Sequence, residues 1–181
     1  MTVDVVLSFP VEGVDLASAR VSIEQLRGRR FTNLATGIVV GLSSSAKGKL
    51  VSNKATGKSK ANGFTREQHN ALASRIDEVF ALAQLVMSRP DRENDANIIS
   101  IKRFATGVSF GRLKAVAWTT VKESKQHGHH IYSVEAIKLE ALDRIVEVVS
   151  GNTPHASSAS TLGMIATLLN AVKRLVKGFY K

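Results

Sequence analysis

Cysteine is absent from the 181-residue chain, which at once excludes disulfides, thiolate zinc sites and a cysteine nucleophile. Aromatic residues are scarce, at 6%. That is few for a protein that would hold single-stranded nucleic acid by stacking successive bases along a groove. Acidic residues are outnumbered, 15 against 25 basic ones, and no pair of carboxylates is placed to hold two magnesium ions. Long apolar runs are missing too, and the apolar C-terminal segment is too short and too charged to span a bilayer. Met1–Pro10 (MTVDVVLSFP) has neither a basic n-region nor a small-residue cleavage site, so no secretory signal is expected and the site of action is predicted to be cytoplasmic.

What is present is an ordinary globular composition, 44% hydrophobic and 22% charged, in a chain long enough to build one self-sufficient core. The formal charge of +10 points to a polyanionic partner, and attraction of this kind applies equally to RNA, DNA and an anionic membrane surface.

The hydrophobic pattern predicts a short strand at Val3–Leu7 and a first helix capped by Asp15, with Leu16, Ala19, Ile23 and Leu26 on one side and Gly28 closing it. GIVVGL (Gly37–Leu42) reads as a strand. It leads into a lysine-rich segment, Ser43–Phe64, read as a loop. A second helix follows, with Thr65 and Gln68 as a capping box, Phe64 as a staple residue, Leu72, Ile76, Val79, Phe80 and Ala83 as the apolar stripe, and Pro90 as the stop. Ile98–Phe104, Leu113–Lys122 and Ile131–Leu139 then read as three strands of an antiparallel meander. Alternation in the middle strand sets Leu113, Ala115, Ala117, Thr119 and Val121 toward the helices and Val116, Trp118, Thr120 and Lys122 toward a working face. The expected fold is therefore α+β, an antiparallel β-meander sheet backed by helices. Residues 1–149 form the domain, 150–160 a linker, and 161–181 a basic amphipathic helix that packs on the domain, contacts a partner or lies on a membrane.

Two motifs invite false positives. ATGKSK carries the ending of a phosphate-binding P-loop, but Ser52 stands where the motif needs glycine and no βαβ pattern follows. His127–His130 (HGHH) surrounds Gly128 of a hairpin turn and lacks further ligands for a metal. No metal or other cofactor is expected. If such a chain cleaves nucleic acid without metal, it needs a base for the 2′-hydroxyl, a cation for the transition-state phosphate and an acid for the leaving oxygen. His69 is the only histidine on a predicted rigid element, and it reads equally well as a hydrogen-bonded core or cap residue.

The run Gly37–Leu139 resembles the large polyvalent protein-associated domains of phages and mobile elements, grouped with barnase–EndoU–colicin–RelE-like nucleases. The resemblance is carried by TGIVVGLSSSAKGKL, EQHNALASRIDEVFALAQLV, SRPDRENDANIISIKRF, KAVAWTTVKES and HHIYSVEAI. It implies a metal-independent endoribonuclease of toxin or effector type, delivered by phage or secretion. RNA is then the substrate, and an acidic immunity or antitoxin protein a partner. Position by position it falls on Lys49, His69, Arg103, Thr120 and Lys122, and these, with Tyr132 at the opening of the last strand, are the expected catalytic residues. Lys47, Lys54, Lys58, Lys60, Lys102 and Trp118 would bind RNA. A non-catalytic nucleic-acid-binding module of a phage or mobile-element protein is the alternative, in which the lysines only contact phosphate. A membrane-active tail helix is a third reading.

Overall fold

Three long antiparallel strands form the spine of the computed structural model, which describes residues 6–91, 95–126, 128–143, 145, 170 and 173, the side chains of Ala46 and Lys47 apart. In chain order the elements are β1 (Leu7–Phe9), α1 (Leu16–Leu26), β2 (Arg30–Thr32), β3 (Val39–Gly41), α2 (Ala46–Leu50), α3 (Asn53–Ala61), α4 (Arg66–Ser74), α5 (Ile76–Ala81), β4 (Gln84–Arg89), β5 (Ile98–Phe110), β6 (Leu113–Gln126) and β7 (His129–Ala141). Gly111 (φ 60°) and Gly128 (φ 83°) adopt the left-handed backbone at the two hairpin turns of the spine, a conformation glycine reaches without strain.

The sheet is not the simple antiparallel meander that the pattern predicts. It has seven strands in the order β1-β5-β6-β7-β3-β2, with β4 also pairing β5, and it curls into a half-barrel. β5–β6–β7 is the expected meander, but β1 runs parallel to β5 and β3 parallel to β7, so the sheet is mixed. The reason is physical. β1, β2 and β3 are three residues each, too short for a period of two to show, and their places are set by pairing with strands far along the chain.

Two other expectations are corrected. The lysine-rich segment is mostly helical, because Ser52 caps α3 by accepting from the Ala55 amide, and Leu50, Val51, Ala55, Thr56 and Ser59 give it a buried side. The GKS look-alike therefore lies within a helix. The second helix ends earlier than Pro90: it is interrupted at Arg75, α5 stops at Ala81, and Gln84–Arg89 pairs antiparallel with β5. The predicted Thr65–Gln68 capping box is formed.

The helices cover one face of the sheet. Leu72, Ile76, Val79 and Phe80 are wholly buried, Phe80 meets Phe104 edge-on at 4.9 Å, and Phe9 stacks on Phe110 at 5.4 Å. Burial of each such side chain contributes about 1.5–3 kcal/mol. Asn33, also fully buried, ties the β2–β3 hairpin to the end of α5. Its amide donates to the Phe80 and Ala83 carbonyls at 2.7 Å each, which fastens the hairpin to the turn that closes α5. The predicted 150–160 linker and 161–181 helix lie outside the described residues, except Asn170 and Lys173, which are helical and exposed. Among the described residues no helix is long and apolar enough to cross a membrane.

Candidate functional site

Strand alternation carries Ser100 and Lys102 of β5, Glu123 of β6, and His130 and Tyr132 of β7 to one end of the sheet, where Ser100, Glu123 and Tyr132 lie directly across from one another. Glu123 is the centre. It is only 6% exposed, and its carboxylate takes four donors: the Ser100 hydroxyl at 2.5 Å, Lys102 Nζ at 3.0 Å, His130 Nδ1 at 2.9 Å and the Tyr132 hydroxyl at 2.9 Å. Burial alone would raise this carboxyl, but the four hydrogen bonds outweigh it and bring the pKa down to about 2. Lys102 reaches Ser88 and Ser100 as well, at 3.1 and 2.9 Å, so the buried ion pair is fully solvated by protein. Burial raises the Tyr132 phenol, and its bond to Glu123 adds to the rise, so the hydroxyl keeps its proton.

His130 differs from the rest of the cluster in its access. Its side chain is 55% exposed. With Nδ1–H donating to a carboxylate, the neutral ring carries its lone pair on Nε2. Beside it β3 and β7 are in register only at Gly41 and Ser133, and a cavity of about 250 Å³ opens along this edge, bounded by Arg30, Val39, Gln126, His130, Ile131 and Tyr132 among others.

The residues singled out from sequence fall in several places. Tyr132 and Lys102 join the Glu123 cluster. His69 does not. It has no exposed surface; Nδ1 lies 2.7 Å from the Ser59 hydroxyl and Nε2 2.7 Å from the Leu50 carbonyl. Because Ser59 accepts from the Leu139 amide at 3.0 Å, its own proton goes to Nδ1, and Nε2–H donates to Leu50. Burial lowers the imidazole pKa despite the Leu50 carbonyl, so the ring is held neutral as a clasp between α2, α3 and β7. Lys49 pairs with Glu135 at 3.1 Å, and Glu135 accepts from Ser133 at the cavity wall.

Arg103, Thr120 and Lys122 lie on the sheet face opposite Glu123, with Arg103 across from Thr120. Arg103 sits over the Trp118 ring at 5.3 Å, and Trp118 is only 6% exposed, so its face is not an open stacking platform. Lys54, Lys58 and Lys60 are exposed on α3, while the Lys47 side chain lies outside the described residues. Sequence reasoning missed Glu123, Ser100, His130 and Arg30. A signal for the first and third existed: with Gly128 as the turn, the glutamate of VKES comes opposite the tyrosine of HHIY. Among the described residues, no three His, Asp or Glu side chains are grouped to hold a metal ion.

Comparison with known families places this arrangement. The family model of large polyvalent protein-associated domain 3 matches residues 17–132, more than half of the chain, and the chain belongs to that family. The match runs from α1 to the start of β7 and so includes Glu123, His130 and Tyr132. No curated protein and no solved structure matches the chain.

Proposed function

We propose that the domain is a metal-independent endoribonuclease whose reacting group is His130. The observation that carries the reading is the His130–Glu123 pair: an exposed imidazole whose tautomer is fixed by a buried carboxylate, on a residue that lines a cavity. The free ring nitrogen suits removal of a 2′-hydroxyl proton. The resulting oxyanion attacks the adjacent phosphorus, the bond to the 5′-oxygen breaks, and the leaving oxygen takes a proton from water. The products are a 2′,3′-cyclic phosphate and a 5′-hydroxyl end. Arg30, which also lines the cavity, supplies positive charge for the phosphate oxygens. Glu123, Lys102, Ser100 and Tyr132 are positioning residues that hold the imidazole. The net charge of +10 and the resemblance to barnase–EndoU–colicin–RelE-like nucleases support RNA as the substrate.

The test is incubation with single-stranded RNA and with DNA of the same sequence in excess chelator. Wild-type protein should cut only the RNA, leaving cyclic phosphate ends, and His130→Ala should abolish cutting while the fold is retained. Salt-sensitive binding of both nucleic acids without cutting would overturn this reading in favour of a non-catalytic binding module, in which exposed Lys54 and Lys58, one turn apart on α3, contact phosphate.

A further inference from the structure

The cavity between β3 and β7 has no part in fixing the imidazole, yet it shares His130 and Tyr132 with the cluster that does. Its walls are chemically mixed. Val39 and Ile131, about 40% and 38% exposed, stand on the two strands that part here, and they are large apolar side chains left partly open to solvent. Gln126 at the end of β6 offers an amide, which both donates and accepts, and Arg30 adds one positive charge. No carboxylate is among its lining residues, so a cation is disfavoured. At about 250 Å³ the space falls below the roughly 300–1,000 Å³ usual for drug-sized ligands, which points to a single ring system.

Aliphatic walls, an amide able to read a ring edge, a neighbouring cation and a size for one ring system describe the recognition chemistry of a nucleobase attached to phosphate. We infer that this cavity is a base-binding subsite, holding a nucleobase beside His130 so that the phosphate next to it meets Arg30 and the imidazole. The inference rests on the ribonuclease reading for the role of the bound base, but not for binding itself. The subsite fixes which base flanks the cleaved bond, and so confers sequence preference on an otherwise charge-driven interaction.

Binding of the four nucleoside 3′-monophosphates is measured by amide chemical-shift titration of the full chain, with inorganic phosphate as a control. At least one nucleotide should perturb the amides of Val39, Gln126, Ile131 and Ser133. Val39→Trp, a change at a partly exposed position, should fill the cavity and weaken that binding tenfold or more. Equal binding by inorganic phosphate, or shifts confined to the lysines of α3, would overturn the subsite. RNA cutting separates the two ideas. Wild-type cutting with an unchanged base preference in Val39→Trp sinks the subsite and spares the ribonuclease. Nucleotide binding abolished in Val39→Trp with no cutting by wild-type protein sinks the ribonuclease and leaves the subsite standing.

Discussion

Ser59 and His69 lie 2.7 Å apart inside the protein, and the serine hydroxyl that donates to the ring also accepts the Leu139 amide of β7. One histidine thereby joins the start of α4 to α2 through the Leu50 carbonyl and to the sheet through Ser59. Its position just after the basic segment suggests catalysis from sequence; its burial assigns it to the architecture.

Removing that clasp should show in stability. His69→Ala leaves the Leu50 carbonyl without its partner and opens a cavity, and together these effects should cost about 2–4 kcal/mol. Denaturant unfolding checks this, with an unchanged slope expected. The folded fraction of the variant should cut RNA at the wild-type rate under the present reading. A loss of cutting in fully folded His69→Ala would return the residue to the active site.

The same residue makes stability depend on pH in a defined direction. The folded-state pKa of His69 is below the ordinary 6.5, so below that value the unfolded chain binds a proton that the folded chain does not. Stability should be complete above about pH 6.5 and fall as pH drops, until the folded-state pKa is passed. His69→Gln removes this dependence, and its unfolding free energy should be flat from about pH 7 to about pH 5. Glu123 acts in a lower window, since its pKa of about 2 lies under the ordinary 4.5. Its contribution, at most about 3 kcal/mol, is present above about pH 4.5 and disappears as pH falls toward about 2.

Much of this frame is legible in the sequence, and what is not has a common cause. The cap at Asp15, the capping box at Thr65 and the stripe from Leu72 to Phe80 are local patterns, and all three are formed in the structure. The core side of β6 is readable from alternation, and Ala115, Ala117 and Val121 lie in the core as that predicts. The parallel pairings of β1 and β3 join residues about 100 and 90 positions apart and leave no local trace. The helicity of α3 is hidden because its buried side is made of Ala55, Thr56 and Ser59, small or polar residues that a hydrophobic pattern does not count. Glu123 escapes notice for the same reason that Lys102 reads as an RNA contact: an isolated charge looks like solvated surface until a register pairs it.

That register gives a second stability prediction. Glu123→Gln leaves Lys102 charged and nearly buried without its counter-ion, which should cost about 3–5 kcal/mol. Lys102→Met should cost a similar amount by leaving the carboxylate with three donors and no ammonium group. The double variant should be destabilised by clearly less than the sum, and thermal or denaturant unfolding of all four proteins closes the cycle. Strict additivity would show that the pair is not coupled.

Tyr132→Phe isolates the hydroxyl that shares Glu123 Oε1 with His130. A positioning role predicts a fall of about tenfold in the rate of RNA cutting with nearly unchanged RNA affinity, because only the orientation of the imidazole is loosened. The readout that separates this from general damage is the pH–rate profile. Its acidic limb, the one a general base produces, should keep its place if His130 remains the reacting group, whereas a phenol acting as the acid would give the wild-type protein a basic limb that Tyr132→Phe loses.

The lysines of α3 should act through charge alone. If Lys54 and Lys58 bind the phosphates of single-stranded RNA, replacing both by alanine should lower the slope of log affinity against log salt by roughly 1.4, about 0.7 for each phosphate that is no longer neutralised. Stability should change by less than about 0.5 kcal/mol, since both side chains are exposed. The preferred base at the cut should be the same in the variant as in wild type, because phosphate contacts fix the strand without reading it. A changed preference would mean that α3, and not the cavity beside His130, is the part of the molecule that distinguishes one base from another.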